Sequence, residues 1–314
     1  MTNRRQFVLT AAATAAALSC DRLAVAQDSA PELPVRFSLN TSTIRGQKLP
    51  IEEQVKVASQ AGYDAIEPWI SDIQAYVDGG GDLADLKKQI EDSGLYVASA
   101  IGFANWISDN DDERQRGLET AKHDMGLVAA LGGKLIAAPP IGAHSGDSVP
   151  PPLPVIAERY RKICELGQET GVAPQLELWG FSPTLSKLGE LAYVSSEAAH
   201  PMACVLPDFY HIYKGGSDFE GLSMIEASKM HCFHINDYPA APARESIADK
   251  HRVFPGDGIC PLPKIIRMLI DHGFKGTFSL ELFNQDYWNR DALEVAKEGL
   301  EKSRKVVAEA VALA

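Results

Sequence analysis

Four polar residues lie at or just past the ends of short apolar runs, in the segments QLELW, VLPD, CFHI and FSLEL: Glu177, Asp208, His234 and Glu281. Three carboxylates and one imidazole can hold a single divalent ion. Carboxylates suit Mn²⁺ or Mg²⁺, and an imidazole also admits Co²⁺ or Zn²⁺, so we expect Mn²⁺ first. If the four runs are neighbouring strands, their ends converge on one metal site.

The neighbours of these residues favour a ligand role. Glu177 and Glu281 each stand between apolar residues, where an unpaired carboxylate is costly to bury. Each therefore needs a metal, a hydrogen-bond network or a raised pKa. One such residue alone is more often a helix cap or, for His234, a core histidine, but four in succession favour a shared site.

A repeating pattern of an amphipathic stretch, a glycine and a short apolar run predicts the elements that position these residues. The predicted strands are Val35–Leu39, Asp64–Pro68, Tyr96–Ile101, Leu135–Pro139, Pro174–Leu178, Cys204–Pro207, His231–Ile235 and Thr277–Leu282. The predicted helices are Ile51–Ala61, Leu83–Ser93, Glu113–Leu131, Leu153–Thr170, Leu185–Ala198, Phe219–Ser228, Leu262–Asp271 and Ala292–Ala312.

Eight strand–helix units predict a (β/α)₈ barrel, a single α/β domain over residues 35–314. The competing fold is a doubly wound sheet, whose dinucleotide-binding form needs a glycine-rich turn after its first strand. Residues 35–50 contain no such motif. The active site of a barrel lies at the carboxyl ends of its strands, where the four candidate ligands stand.

The amino terminus has the pattern of a twin-arginine export signal. Arg4 and Arg5 precede an alanine-rich stretch and the small residues Ala24-Val25-Ala26, so we expect cleavage after Ala26, a linker over 27–34 and a periplasmic protein. A plain amphipathic leader and a retained anchor are the alternatives, and Cys20 is a weaker candidate for lipid attachment. The remaining four cysteines are widely spaced, which indicates buried thiols rather than a disulfide framework.

Composition excludes some partners. The chain has 314 residues, 45% of them hydrophobic, and no internal run long enough to span a membrane. Loss of residues 1–26 removes three arginines and one aspartate, which takes the formal net charge from −12 to −14. Nucleic acid is therefore not an expected partner, because phosphate contacts need clustered lysine and arginine. A homo-oligomer is compatible with this composition.

The order of these residues resembles the xylose-isomerase-like TIM-barrel superfamily, in particular its branch of sugar epimerases and isomerases, over most of residues 35–310. The resemblance implies a metal set made of Glu177, Asp208 with His211 three residues later, His234 and Glu281. The segment DKHRVFPGDG at 249–258 also resembles the loop that precedes the family's eighth unit and ends in Pro-Gly-x-Gly.

The resemblance implies a reaction as well. Glu177 and Glu281 form a catalytic pair, in which one removes a proton next to a carbonyl and the other returns it from the opposite face through an enediolate. The substrate is then a small sugar or keto sugar. His211 holds a substrate oxygen or orients Asp208, with a helix-cap histidine as its alternative.

Four more residues are expected at the substrate. Glu67, at the end of the second strand, is a candidate for binding a hydroxyl or acting as a base, with a structural salt bridge as the alternative. Trp179 offers a flat face to sugar C–H groups, although packing explains it as well. His251 and Arg252 belong to a basic cluster that can read a phosphate or carboxylate, or lie in a solvated loop.

Two positions depart from the family pattern and leave the sugar open. The substrate-contacting Glu of the epimerases corresponds to Pro183, and their Arg corresponds to Ala240. The alternatives are a keto-sugar lyase or dehydratase, and a periplasmic sugar-binding barrel without turnover. The superfamily's apurinic-site endonucleases are disfavoured, because the added histidines of their three-zinc cluster are missing after strands two to four.

The export signal gives the first prediction. Replacement of Arg4 and Arg5 with lysine should retain the precursor in the cytoplasm, because the twin-arginine route reads the arginine pair. Cell fractionation and immunoblotting measure the distribution, with Arg22→Lys as the control. An unchanged periplasmic fraction in the double variant would mean that the leader is not a twin-arginine signal.

Overall fold

Eight short parallel strands alternate with helices in the computed structural model, which describes residues 33–145 and 149–313. The predicted leader 1–26, Cys20 and linker residues 27–32 lie outside the described residues. The strands are β1 Arg36–Asn40, β2 Ala65–Glu67, β3 Tyr96–Val97, β4 Leu135–Ala138, β5 Ala173–Glu177, β6 Cys204–Leu206, β7 Cys232–Ile235 and β8 Thr277–Leu280. The helices are α1 Ile51–Ala61, α2 Ile70–Asp78, α3 Leu83–Asp92, α4 Asp111–Ala130, α5 Leu153–Thr170, α6 Leu188–Glu197, α7 Phe209–Gly215, α8 Leu262–Asp271, α9 Gln285–Trp288 and α10 Ala292–Ala312.

The strands close into a barrel in chain order. Two ladders of parallel strands, β3-β2-β1-β8-β7 and β4-β5-β6, account for most of the pairing. Backbone hydrogen bonds join the ladders on both sides, from Ala137 N to Ala100 O at 2.8 Å and from His234 N to Pro207 O at 2.9 Å. The predicted (β/α)₈ barrel is thus confirmed, and the doubly wound sheet is wrong.

The core lies between the barrel and the helices, because one face of each helix is apolar. In α8 the buried residues Leu262, Ile265, Ile266 and Leu269 follow the spacing of a single helical face. Near the barrel, the ring centroids of Phe209 in α7 and Phe233 in β7 lie 4.5 Å apart. This ring contact packs α7 against β7, the strand that carries His234.

Glycine ends two of the helices as the sequence pattern predicts. Gly62 follows α1 with φ +91°, and Gly171 follows α5 with φ +75°. Both lie in the left-handed region, which a glycine enters without the steric cost of a Cβ. Each turn leads within four residues into the next strand, so the predicted helix-to-strand junctions are confirmed there.

Two predicted helices differ in the structure. The segment 219–228 forms two 3₁₀ turns, Phe219–Met224 and Ala227–Lys229, with Ile225 in extended conformation between them. Gly221 and its neighbouring serines have low helix propensity, which explains the break. α6 begins three residues later than predicted, because Leu185 has φ +55°.

Helices α2, α7 and α9 were not predicted; α2 and α7 begin three residues after the ends of β2 and β6, and α9 begins five residues after the end of β8. α7 depends on Asp208, whose Oδ1 accepts a hydrogen bond from His211 N at 2.8 Å as an N-cap.

The four cysteines of the described residues are buried free thiols, as predicted: Cys164, Cys204, Cys232 and Cys260. Among the residues that the structure describes, no helix has both the length and the apolar character needed to cross a bilayer.

A buried carboxylate in α4 gives a stability prediction. Asp124 lines a small apolar cavity with Gly102, Trp106 and Ile136. Burial raises its pKa from 3.8 to about 6, against an opposing effect of His123. Between these two values the folded state binds more protons than the unfolded state, so this group lowers stability as pH rises through that range.

Asp124→Asn should therefore raise the free energy of unfolding at about pH 7.5 by on the order of 1 kcal/mol. At about pH 4 the gain should disappear, because both forms are then neutral in the folded state. Urea denaturation at the two pH values measures the effect, with the exposed Glu119→Gln of the same helix as control. An equal gain at both pH values would contradict the assignment.

Candidate active site

The four predicted ligands converge at the carboxyl ends of β5 to β8. Glu177 is the last residue of β5, Asp208 follows β6 as the N-cap of α7, His234 lies in β7, and Glu281 directly follows β8. All four side chains are almost fully buried. The barrel therefore brings three carboxylates and one imidazole into a single cluster.

The Nδ1 atom of His234 is the centre of this cluster. It lies 3.1 Å from Glu281 Oε2, 3.6 Å from Asp208 Oδ2 and 4.0 Å from Glu177 Oε1. Nδ1 is buried and has no hydrogen-bond partner of suitable geometry. A buried nitrogen facing three acceptor-only groups needs a cation or a proton between them.

The donor set fits a divalent ion. One imidazole nitrogen and three carboxylate oxygens are ligands that Mn²⁺ and Zn²⁺ accept, and the carboxylates also suit Mg²⁺. Ligand atoms of Asp208, His234 and Glu281 all lie within 4.8 Å of one another. The observation that carries the fit is the unpartnered Nδ1, which none of the surrounding protein groups satisfies by hydrogen bonding.

Arg252 is a second positive group in the cluster. Its guanidinium is buried and donates from Nη1 to Asp208 Oδ2 at 3.0 Å and to Glu281 Oε2 at 2.7 Å. Nη2 lies 2.5 Å from Asp249 Oδ1 and 2.9 Å from His211 Nε2. The carboxylates of Asp208, Glu281 and Asp249 therefore offset the positive charge of Arg252 and occupy its two terminal nitrogens.

A buried aspartate holds the loop that carries Arg252. Asp237, two residues after β7, accepts hydrogen bonds from the backbone N–H groups of Tyr238, Gly256, Gly258 and Cys260 at 2.8 to 3.1 Å. A Cβ on Gly258 would lie 2.2 Å from Asp237 Oδ1, so only glycine fits there. The PGDG turn at 255–258 therefore folds around the carboxylate of Asp237, which accepts hydrogen bonds from its backbone N–H groups.

An aromatic pocket opens above the cluster, with a volume of about 240 Å³. Its walls come from the segments that follow β2, β3, β5 and β8, and its floor includes Glu177, Glu281, His211, Asp249 and Arg252. The aromatic wall residues are Trp69, Phe103, Trp179, Phe181 and Phe283. Their ring centroids follow one another at 5.0 to 6.3 Å around the opening.

The predicted substrate residues divide between the pocket and its surroundings. Trp179, His211 and Arg252 line the pocket. Glu67 does not: it is fully buried beneath the cluster and contacts His234, which corrects its predicted place at a substrate hydroxyl. His251 also lies outside the pocket, and its Nδ1 accepts a hydrogen bond from the backbone N–H of Ala248 at 2.9 Å.

Asn40 and Asp249 are among the residues of the site that sequence reasoning missed. Asn40 ends β1 after an alternating run, and its amide contacts both Glu67 and Glu281. The same strand-end pattern that identified the ligands could have found it. Asp249 is paired with Arg252 three residues later, and this spacing permits the contact without showing that the pair faces the pocket.

The surroundings of the carboxylates differ. Burial raises the pKa of Glu177 to about 8, and the charges of Glu281 and Asp208 add to this while His234 opposes it. Asp208 is equally buried, yet Arg252 and His211 hold its pKa below the usual range. For His234 burial lowers the pKa, but the carboxylates of Glu281 and Glu67 outweigh it and raise the pKa well above the usual value. A bound cation must therefore compete with protons for this cluster.

Comparison with known sequences identifies one matching family and several distant relatives. A family described as "Xylose isomerase-like TIM barrel" matches residues 55–306. The fructoselysine 3-epimerase of Escherichia coli O157:H7 is 27% identical over 285 residues, which cover 84% of this chain and 96% of that protein. The inosose isomerase of Bacillus velezensis is 25% identical over 262 residues, covering 82% and 92%.

Comparison with solved structures gives the same fold. The crystal structure of an IOLI protein with a bound zinc atom has a TM-score of 0.81 and 19% sequence identity, and it covers 88% of this chain and 99% of that one. At this identity the likeness establishes the barrel fold and leaves the chemistry of this chain to its own residues.

The cluster predicts one divalent ion for each chain. Asp208→Asn and His234→Ala should each weaken binding of Mn²⁺ by at least about 100-fold, because each removes a ligand, and second-shell losses alone cost 10- to 100-fold. Asn at 208 can still cap α7, so the fold should survive. Isothermal titration calorimetry and metal analysis after dialysis provide the measurement.

The exposed changes Asp286→Asn and His272→Ala are matched controls for charge and ring loss. They should leave the affinity unchanged. Full occupancy at wild-type affinity in both ligand variants would rule out this site.

Proposed function

The chain belongs to the xylose isomerase-like TIM barrel family, and we propose that it is a divalent-metal-dependent sugar isomerase or epimerase that moves a proton next to a carbonyl. The main support is the pair Glu177 and Glu281. These carboxylates come from non-adjacent strands, line one pocket and lie 4.0 and 3.1 Å from the same nitrogen of His234. Relatives named as an epimerase and an isomerase support the reaction class.

The metal belongs to this proposal. Glu177, Asp208, His234 and Glu281 would hold the ion, with Mn²⁺ as the first candidate and Mg²⁺, Co²⁺ or Zn²⁺ as alternatives. Bound there, a divalent ion supplies Lewis-acid stabilisation of the negative charge that develops on the carbonyl oxygen. The zinc atom in the IOLI structure supports a divalent ion in this fold.

The two glutamates perform the proton transfer. One carboxylate removes the proton from the carbon beside the carbonyl, and the other delivers a proton to the opposite face of the enediolate. Burial keeps bulk water away from both groups. Arg252 donates to Glu281, which fixes the orientation of that carboxylate toward the pocket.

The pocket favours an unphosphorylated sugar. Arg252 is the cation among the described residues that line it, and Asp208, Asp249 and Glu281 already balance its charge. Apart from the proposed ion, a phosphate would meet carboxylates and a side-chain cation that is already paired. The aromatic walls instead offer flat faces to the apolar C–H faces of a neutral sugar ring.

We also propose export to the periplasm. The support is the sequence of residues 1–26 alone, with its arginine pair and its small residues before position 27. Folding before export would allow the ion to be loaded in the cytoplasm.

Glu177→Gln and Glu281→Gln should each lower turnover by about 10²- to 10⁴-fold, the usual size of general acid–base catalysis. Affinity for the sugar should change much less. An NMR assay on ketoses and 3-keto sugars, with one sugar phosphate included, follows incorporation of solvent deuterium. Both variants should lose it, because one Glu removes the proton and the other supplies its replacement. Exposed Glu197→Gln is the control.

Other outcomes separate the remaining functions. A lyase would release an elimination product and retain activity in one of the two variants, because a second group can protonate the leaving oxygen. A binding protein would retain sugar without deuterium uptake in the wild type. Wild-type turnover in both metal-loaded variants would exclude Glu177 and Glu281 as the acid–base pair.

A further inference from the structure

A buried polar layer lies directly beneath the metal cluster. Its centre is Glu67, whose Oε2 accepts hydrogen bonds from Asn40 Nδ2 at 2.9 Å and Ser279 Oγ at 2.6 Å, and lies 3.1 Å from His234 Nε2. These groups come from β1, β8 and β7, so the carboxylate of Glu67 occupies the barrel axis. It is completely shielded from solvent and takes no part in the pocket wall.

This contact decides which nitrogen of His234 carries a proton. An ionised carboxylate only accepts hydrogen bonds, so Nε2 must be the donor in the pair. In a neutral imidazole Nδ1 then has a free lone pair. That lone pair faces Asp208, Glu177 and Glu281, and Nδ1 is one of the buried side-chain atoms that have no hydrogen-bond partner.

We propose that Glu67 is the positioning residue of the metal centre: it holds the proton of His234 on Nε2 and fixes the ring so that Nδ1 becomes the ligand. This inference rests on the metal site of the proposed function. A carboxylate behind a ligating histidine orients the ring and increases the basicity of the ligand, and its loss typically lowers metal affinity 10- to 100-fold.

Asn40 connects Glu67 to Glu281, a second predicted metal ligand. Its Nδ2 donates to Glu67 Oε2 and lies 3.2 Å from Glu281 Oε1, while its Oδ1 accepts from Ser42 N at 2.9 Å. Trp69 Nε1 is 3.3 Å from the same Oδ1. One amide thus connects the layer beneath the cluster to Glu281 and to the aromatic wall.

A second metal site in this layer is the competing interpretation, because Glu67, Cys232 and His234 also lie close together. The direct contact of Glu67 with Nε2 argues against it. Cys232 Sγ is 4.0 Å from Glu67 Oε1, and the three donors from Asn40, Ser279 and His234 already satisfy Oε2. The layer is therefore a hydrogen-bond network.

Zinc-loaded full-length protein tests the inference, because Zn²⁺ is diamagnetic and suits nitrogen NMR. In the wild type, ¹⁵N–¹H correlation of the His234 ring should show a proton on Nε2 and a ligated Nδ1. Glu67→Gln should weaken Zn²⁺ binding by about 10- to 100-fold and change the ¹⁵N shifts of the ring. Cys232→Ala is the matched control, since it removes the other side chain near Glu67, and it should change neither readout.

The outcomes distinguish the two proposals. A wild-type protein that binds no ion would overturn both the metal site and the role of Glu67. Tight wild-type binding with a proton on Nδ1 and the ion on Nε2 would overturn the role of Glu67 alone, and this measurement needs no variant to fold. Unchanged affinity and ring shifts in folded Glu67→Gln would do the same.

Discussion

Three buried carboxylates that face one another are the constraint on which the rest of the active end depends. Two like charges 4 Å apart repel by about 4 kcal/mol at an effective dielectric of 20, and ligand atoms of Asp208 and Glu281 lie within 4.8 Å. Such a cluster persists only with compensating positive charge. Arg252 supplies one charge from the loop after β7, and the unpartnered Nδ1 of His234 marks where a second positive centre belongs.

The barrel holds the mutually repelling carboxylates of this cluster in place because it positions them on rigid strands. Each ligand stands on or directly after a strand that is paired on both sides, and the hydrogen bond from His234 N to Pro207 O links the segments that carry His234 and Asp208. Loops then add what the strands cannot. Asp237 organises the turn at 255–258 through backbone N–H groups, and the same segment delivers Arg252. A polar centre is thereby held in place with little reliance on flexible side chains.

The sequence predicted the barrel and the residues of the cluster because both depend on local patterns, namely apolar runs of strand length, glycine stops and polar residues at run ends. Two of the residues it proposed at the substrate, Glu67 and His251, do not line the pocket. Glu67 ends its strand inside the barrel beneath the ligands, at a depth that depends on the stagger of neighbouring strands. His251 lies in the short 3₁₀ segment Asp249–His251, whose conformation the sequence pattern does not show. The charge of Arg252 was misread because its partners, Asp208 and Glu281, lie 44 and 29 residues away.

The division between floor and wall explains why the reaction class is easier to infer than the substrate. The floor is made of strand-end residues whose chemistry is fixed by burial and mutual charge, so Glu177, Asp208, His234 and Glu281 define it together. The wall is made of rings on the following segments, such as Phe103 and Phe181, which stay substantially exposed despite being apolar. These rings leave apolar surface open to solvent beside a polar floor, and a bound ligand can cover that surface. Substitutions on the wall can therefore change the accepted sugar without disturbing the charge balance beneath it.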